Sequence, residues 1–283
     1  MTPLRKRMLE DMQLKGYAPA TQRAYSFAVS QLARHYNKSP DLTTQEELRA
    51  YLLRLQKQLA HASFKIALAG IRCFFEMTLQ RHWPVLEFAR APKETPLPVV
   101  LSREEVRSIL AAVRAPVYRV CLNTIYSCGL RISEGAGLQC SDVDSQRMLL
   151  RVRGKGNKDR YVPLATPTLQ SLRALWEMHR SIPWLFPARM QHRSTHDEGP
   201  IAVGNLRNAF HLAREQSGVS KPARVHTLRH SYATHLMEAG VQLRLIQEIL
   251  GHRSPRTTAI YTHLTTEVLA QVTGPIHQLA QNL

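Results

Sequence analysis

Five side chains in the last quarter of the chain could act together on an anionic group: His226, Arg229, His230, His252 and Tyr261. A guanidinium is always charged and can hold a phosphate bidentately. A phenol can serve as an oxygen nucleophile, although its unperturbed pKa of about 10 means that it needs help to lose its proton. The spacing says how these groups would be delivered. His226, Arg229 and His230 fall at i, i+3 and i+4, on one face of a helix. Gly240 can end that helix, and Val241, Leu245, Ile249 and Leu250 carry the periodicity of a second one. Gly251 stands where a C-cap glycine belongs, so His252 emerges just past a helix end. Ser254-Pro255 predicts the start of a third short helix, which presents Tyr261 about two turns later.

The order H-T-L-R-H, then G-H, then a tyrosine nine residues after that histidine, resembles the C-terminal signature of the tyrosine recombinases, the phage-integrase, Xer and Cre family. Upstream, G-L-R-I-S-E at 129–134 resembles the first arginine motif of that family, and G-K-G-N-K at 154–158 resembles its lysine-bearing β-turn. Cleaving a phosphodiester requires cations on the non-bridging oxygens, an in-line nucleophile and an acid for the leaving oxygen. The resemblance implies that Arg131 and Arg229 supply the cations and that Tyr261 attacks to form a phosphotyrosyl ester. It implies that Lys155 protonates the departing 5′ hydroxyl, that His226 is general base or proton shuttle, and that His252 completes the phosphate contacts. Glu134 would orient the arginine cluster, and His230 would support it structurally.

Each of these residues has a plainer reading on its own. Arg131 could be a surface residue at a helix start, and Lys158 competes with Lys155 for the turn. His226 and His230 could be packed, hydrogen-bonded histidines, and Tyr261 a half-buried packing residue. The joint occurrence of all five motif elements in one order outweighs these readings. H-x3-H spacing at His192/His196 and His226/His230 could suggest a metal site, but neither pair has the glutamate of H-E-x-x-H and no cysteine pair completes a zinc cluster. No P-loop or dinucleotide fingerprint is present. A phosphotyrosyl mechanism conserves bond energy, so no cofactor and no metal ion is expected.

The composition agrees with a nucleic-acid partner. The 283 residues carry 38 Lys+Arg against 21 Asp+Glu, a formal net charge of +17. Split at residue 90, the first part has 14 basic and 7 acidic side chains and the rest 24 and 14, so both parts are cationic. A generally basic protein, or one bound to RNA or an anionic membrane, would share that balance. The four cysteines, Cys73, Cys121, Cys128 and Cys140, form no C-x-x-C pair and suit free thiols in a reducing cytosol. The N-terminus lacks the apolar core of a signal peptide.

The elements that must position these groups fall into two parts. Helices are predicted at 4–14, from Pro19 to Tyr36, at about 44–59 and at 62–78, the last with Phe64, Ala67, Leu68, Ile71 and Phe74 or Phe75 on its apolar face. This all-α part, residues 1–88, resembles the family's core-binding (SAM-like) domain; a helical oligomerisation or regulatory domain is the other reading. Residues 89–99, with three prolines, read as a semi-rigid linker. Beyond it, Ser102-x-x-Glu105 is a capping box opening a helix to about 113, and 116–127 is a second helix. Residues 147–153 and 160–164 read as a hairpin around the G-K-G-N-K-D turn. Helices 167–180 and 203–217 follow, with an exposed loop at 189–200 between them. A final amphipathic segment at about 265–272 would dock on a neighbouring protomer or fold back on its own domain.

The expected fold is therefore mainly α with a small β-hairpin or sheet (α+β), arranged as a two-domain C-shaped clamp with a catalytic domain at 100–283. The expected protein is a site-specific DNA recombinase acting through a 3′-phosphotyrosyl intermediate and a Holliday junction. Its likeness to integron integrases is limited by the short 165–205 stretch, which points to a compact Xer-like or mobile-element integrase. Its partners would be double-stranded DNA sites and its own copies in a homotetramer, or a paralogous recombinase, in a prokaryotic cytoplasm at the nucleoid. The alternatives are a DNA-binding accessory or regulatory factor on the same fold, or topoisomerase-like strand relaxation.

Overall fold

The computed structural model describes residues 1–90, 98–154, 159–189, 199–251 and 266–281. The chain divides into two compact units, Met1–Pro96 and Leu97–Leu283, each with its own apolar core.

The first unit is all helical. It comprises α1 (Pro3–Leu14), α2 (Pro19–Tyr36), α3 (Gln45–Gln58), α4 (His61–Arg72) and α5 (Pro84–Phe88). Prolines open α1, α2 and α5 at positions where a missing N–H costs nothing. Thr44 and Glu47 form a reciprocal capping box at the start of α3. Met8, Met12, Leu32, Leu48, Phe64 and Ile71 meet in the interior. The sequence predicted one α-helix over 62–78. Instead, α4 widens after Arg72 into a π-helical turn, Cys73–Thr78. The Leu79 amide reaches back five residues to the Phe74 carbonyl, and both Phe74 and Phe75 are buried. Successive residues of a regular helix point about 100° apart; the wider turn lets two adjacent rings enter one core.

The second unit is mainly helical around a small sheet, as expected. Its helices are α6 (Arg103–Ala111), α7 (Pro116–Ser127) and α8 (Ile132–Ala136), then α9 (Thr166–His179), α10 (Val203–Gln216), α11 (Val225–Glu238), α12 (Leu243–Leu250) and α13 (Thr266–Ala280). The Ser102/Glu105 capping box opens α6. Three antiparallel strands, β1 (Val143–Asp144), β2 (Leu149–Val152) and β3 (Arg160–Pro163), lie between α8 and α9 in sequential order. In the β2–β3 register Leu150 faces Val162 and Arg151 faces Tyr161. Leu150, Val152 and Val162 therefore enter the same core as Leu122 and Ile125 of α7.

Two elements depart from expectation. β1 is a third strand added to the expected hairpin, and its two residues are too few to show an alternating pattern. The last helix runs on through Pro275 to Ala280, well past 272. Ile276, Leu279 and Ala280 are buried in this unit's own core, with the helix against α7, α9, α11 and β3. That burial outweighs the local cost of an interior proline. No helix among the described residues is long and apolar enough to cross a membrane. The four cysteines are free.

Candidate active site

Helix α11 carries its candidate residues in two layers. Arg229 faces inward, with its side chain 2 % exposed. Its Nη1 donates to the Gly129 carbonyl at 2.7 Å and its Nη2 to the Leu250 carbonyl. One guanidinium thus ties α11 to the turn after α7 and to the end of α12, satisfying carbonyls that a helix end leaves without partners. Gly129 makes that turn possible. Its φ is +60°, and a Cβ there would lie 2.7 Å from both Leu250 Cδ2 and the Tyr232 ring.

Two residues beyond Gly129, Arg131 stands just before α8. Its backbone N–H donates to Glu134 Oε2 at 2.8 Å and its Nη1 to Oε1 at 2.7 Å. Arg131 is 43 % exposed, whereas Glu134 is 6 % exposed. Arg229 Nη1 lies 3.8 Å from the same carboxylate. A third cation completes the cluster. Arg160, the first residue of β3, donates from Nη1 and Nη2 to the two Glu134 oxygens at 3.0 and 2.9 Å.

Three guanidiniums therefore surround one carboxylate, and the cluster is net cationic. Burial alone would raise the Glu134 carboxyl, but its bonds to Arg160 and Arg131 bring it down to about 2. Arg229 is lowered to about 10, first by burial and then by repulsion from Arg131 and Arg160. It remains charged at neutral pH. An anion docking beside Arg131 and Arg229 would relieve that excess charge, which is the property a phosphate site needs.

The sequence placed His226, Arg229 and His230 on one helix face; the structure separates them by depth. His226 and His230 are exposed while Arg229 is buried. The two imidazoles touch edge to face, with centroids 4.6 Å apart, so His230 is not a packed interior residue. Arg131, Glu134 and Arg229 converge as described. Lys155, His252 and Tyr261 lie outside the described residues, as do Lys158, His192, His196, the helix expected after Ser254 and most of the 89–99 segment. Gly251, with φ +64°, ends α12 in the left-handed conformation and hands the chain to His252. Among the described residues no group of three or more His, Cys, Asp or Glu could hold a metal ion.

Sequence reasoning missed Arg160 and a second buried acid. Asp142 accepts from Arg151 Nε and Nη2 at 3.0 and 2.9 Å, from Arg153 Nη2 at 3.1 Å and from the Gln139 amide at 2.9 Å. The partners of Arg160 are distant in the chain; Asp142 does carry a local signal, the i, i+3 cap with Gln139, but its arginine partners lie nine and eleven residues on.

Residues 99–267 match the phage integrase family and residues 4–85 match the phage integrase N-terminal SAM-like domain. The chain belongs to the phage integrase family of tyrosine recombinases. It is 45 % identical over 284 residues to a Sinorhizobium fredii protein named as an integrase/recombinase, covering 99 % of this chain and 90 % of that one. It is 32 % identical over 252 residues to the tyrosine recombinase XerC of Halalkalibacterium halodurans, covering 82 % of each. The fold of this recombinase is that of lambda integrase in a tetramer bound to a Holliday junction, at a TM-score of 0.71, 20 % identity, and coverage of 89 % of this chain and 76 % of that one.

Proposed function

We propose that this tyrosine recombinase is a site-specific enzyme that cuts and rejoins DNA through a 3′-phosphotyrosyl intermediate. The Tyr261 oxygen attacks the scissile phosphorus while the phosphate charge rests on Arg131, Arg229 and His252. The P–O5′ bond breaks, and the departing oxygen takes a proton from Lys155. His226 accepts the phenol proton. A 5′ hydroxyl from the second duplex then attacks the ester, re-forms a phosphodiester and returns the tyrosine. Bond energy passes from ester to ester, so no external energy source enters the balance.

The observation that carries this reading is the buried Arg229, held by two carbonyls and set 3.8 Å from a carboxylate already shared by Arg131. The carbonyls and Glu134 offset part of the cost of burying that charge, and three guanidiniums on one carboxylate leave a net positive charge that suits an incoming phosphate. Lambda integrase, whose fold this is, forms a tetramer on a Holliday junction. By extension, four copies of this chain, or two of it and two of a paralogue, exchange strands between two duplexes. Residues 1–88 act as the core-binding domain, 89–99 as the linker and 100–283 as the catalytic domain. The work is done in the cytoplasm, at the nucleoid of a prokaryote.

Two differently labelled duplexes carrying the sequence that flanks the gene, incubated in EDTA, test the assignment. Junctions and recombinant strands are the expected products. Relaxation of supercoiled DNA with no exchange between labels would instead favour the topoisomerase-like activity. Tight binding without either product would favour an accessory factor. Family membership speaks against both.

A further inference from the structure

Arg160 has no role in the chemistry set out above, yet it is the most fully engaged of the three guanidiniums. Its Nε donates to the Ile249 carbonyl at 2.8 Å, and Nη1 and Nη2 hold the two oxygens of Glu134. The side chain is 11 % exposed, against 43 % for Arg131. Three of its five N–H donors are committed, and its two-pronged face is spent on Glu134 rather than left for a phosphate. Arg131, whose Nη2 is only 3.4 Å from the Gly251 carbonyl, is far less constrained.

Its position makes that commitment consequential. Arg160 opens β3, five residues after Lys155 in the chain. Ile249 lies in the last turn of α12, three residues before His252. Glu134 is the carboxylate that orients Arg131. One side chain thus fastens the strand that follows Lys155 in the chain to the helix that leads to His252 and to the acid behind the first arginine. Gly251 accommodates it, since a Cβ there would stand 2.9 Å from Arg160 Cδ.

A charge argument points the same way. Bidentate pairing with Arg160 satisfies much of the Glu134 charge. Without it, the carboxylate would draw on Arg131 and Arg229 alone and weaken the positive field they present to a phosphate.

We infer that Arg160 is a positioning residue of the recombinase: it neutralises Glu134 and locks the end of α12 to β3, so that Arg131 and the residues flanking β3 and α12 meet one phosphate in register. This rests on the assignment of Arg131, Lys155, Arg229, His252 and Tyr261 to strand cleavage.

The test compares wild type, Arg160→Ala, Arg160→Lys, Glu134→Gln, the Arg160→Ala/Glu134→Gln pair and Tyr261→Phe, all as full-length protein. DNA affinity, thermal stability and single-turnover cleavage of a nicked duplex at saturating protein are measured for each. Arg160→Ala should bind DNA within about threefold of wild type, since few phosphate contacts are lost. It should cleave on the order of 10²-fold more slowly, the cost of misplacing a reacting group. Arg160→Lys, which keeps the charge without the fork, should recover part of the rate and guards against a folding defect in the alanine variant. The double variant should be no slower than the slower single one, because both changes break the same pair. Wild-type cleavage by Arg160→Ala, or losses that multiply in the double variant, would overturn the inference. A covalent product that survives Tyr261→Phe would instead remove the cleavage assignment on which it rests.

Discussion

Nη1 of Arg229 donates to the carbonyl of Gly129 at 2.7 Å across a hundred residues of chain. This bond joins the second arginine motif to the turn that introduces the first. The spacing of Arg131 from Arg229 is therefore set by a backbone contact rather than by two independent surface side chains.

Arg229→Lys tests that bond. An ammonium is a single point charge and cannot bridge the Gly129 and Leu250 carbonyls as the planar fork does. Single-turnover cleavage should fall on the order of 10²- to 10³-fold, with DNA affinity little changed. A near-wild-type rate would mean that charge alone suffices at this position.

Gly129→Ala tests the turn. An L-residue in the left-handed region costs roughly 1–2 kcal/mol. The added methyl would also press on Leu250 and Tyr232, where overpacking costs about 1–3 kcal/mol. Chemical denaturation should register the sum, and cleavage should fall with it because the Gly129 carbonyl moves. An unchanged midpoint would show that the turn can relax.

Tyr232→Phe should do the reverse. Tyr232 is fully buried at the centre of the second core, and its hydroxyl has no hydrogen-bond partner among the described residues. An unpaired buried hydroxyl costs about 1–3 kcal/mol, so its removal should leave the melting temperature unchanged or raise it. A clear fall in melting temperature would reveal a partner for the hydroxyl.

Glu134 gives a pH prediction with a definite sign. Its folded carboxyl, at about 2, lies below the ordinary value of 4.5. The stabilisation is therefore present above pH 4.5 and is lost as the pH falls toward 2, amounting to about 3 kcal/mol at full strength. Glu134→Gln should be markedly less stable than wild type at pH 7, and the gap should narrow as both are titrated from pH 4.5 downward. A gap independent of pH would show that the carboxylate charge is not what Arg160 and Arg131 bind.

Much of this arrangement was legible in the chain. The prolines opening α2 and α7, the capping box at Ser102 and Glu105 and the glycine after α12 are local signals, and local signals survive folding. The motif arginines and Glu134 were legible because their spacing repeats a family pattern. What could not be read depends on tertiary contact. The depth difference between Arg229 and its helix neighbours His226 and His230 follows from where α7 and α12 end, which periodicity does not encode. Arg160 looked like an ordinary strand residue because its partners lie 26 and 89 residues away. The extension of α13 through Pro275 depends on Ile276 and Leu279 finding the core, and a proline read locally argues the opposite.

The most direct measurement uses a labelled duplex, nicked so that the short 5′-hydroxyl fragment diffuses away after cleavage. Wild type and Tyr261→Phe are incubated with it in EDTA and run on a denaturing gel. The account predicts a covalent protein–DNA band in wild type, unaffected by EDTA and absent in Tyr261→Phe, with DNA binding retained in both. A band of equal strength in Tyr261→Phe would contradict it, because some other residue would then carry the phosphate.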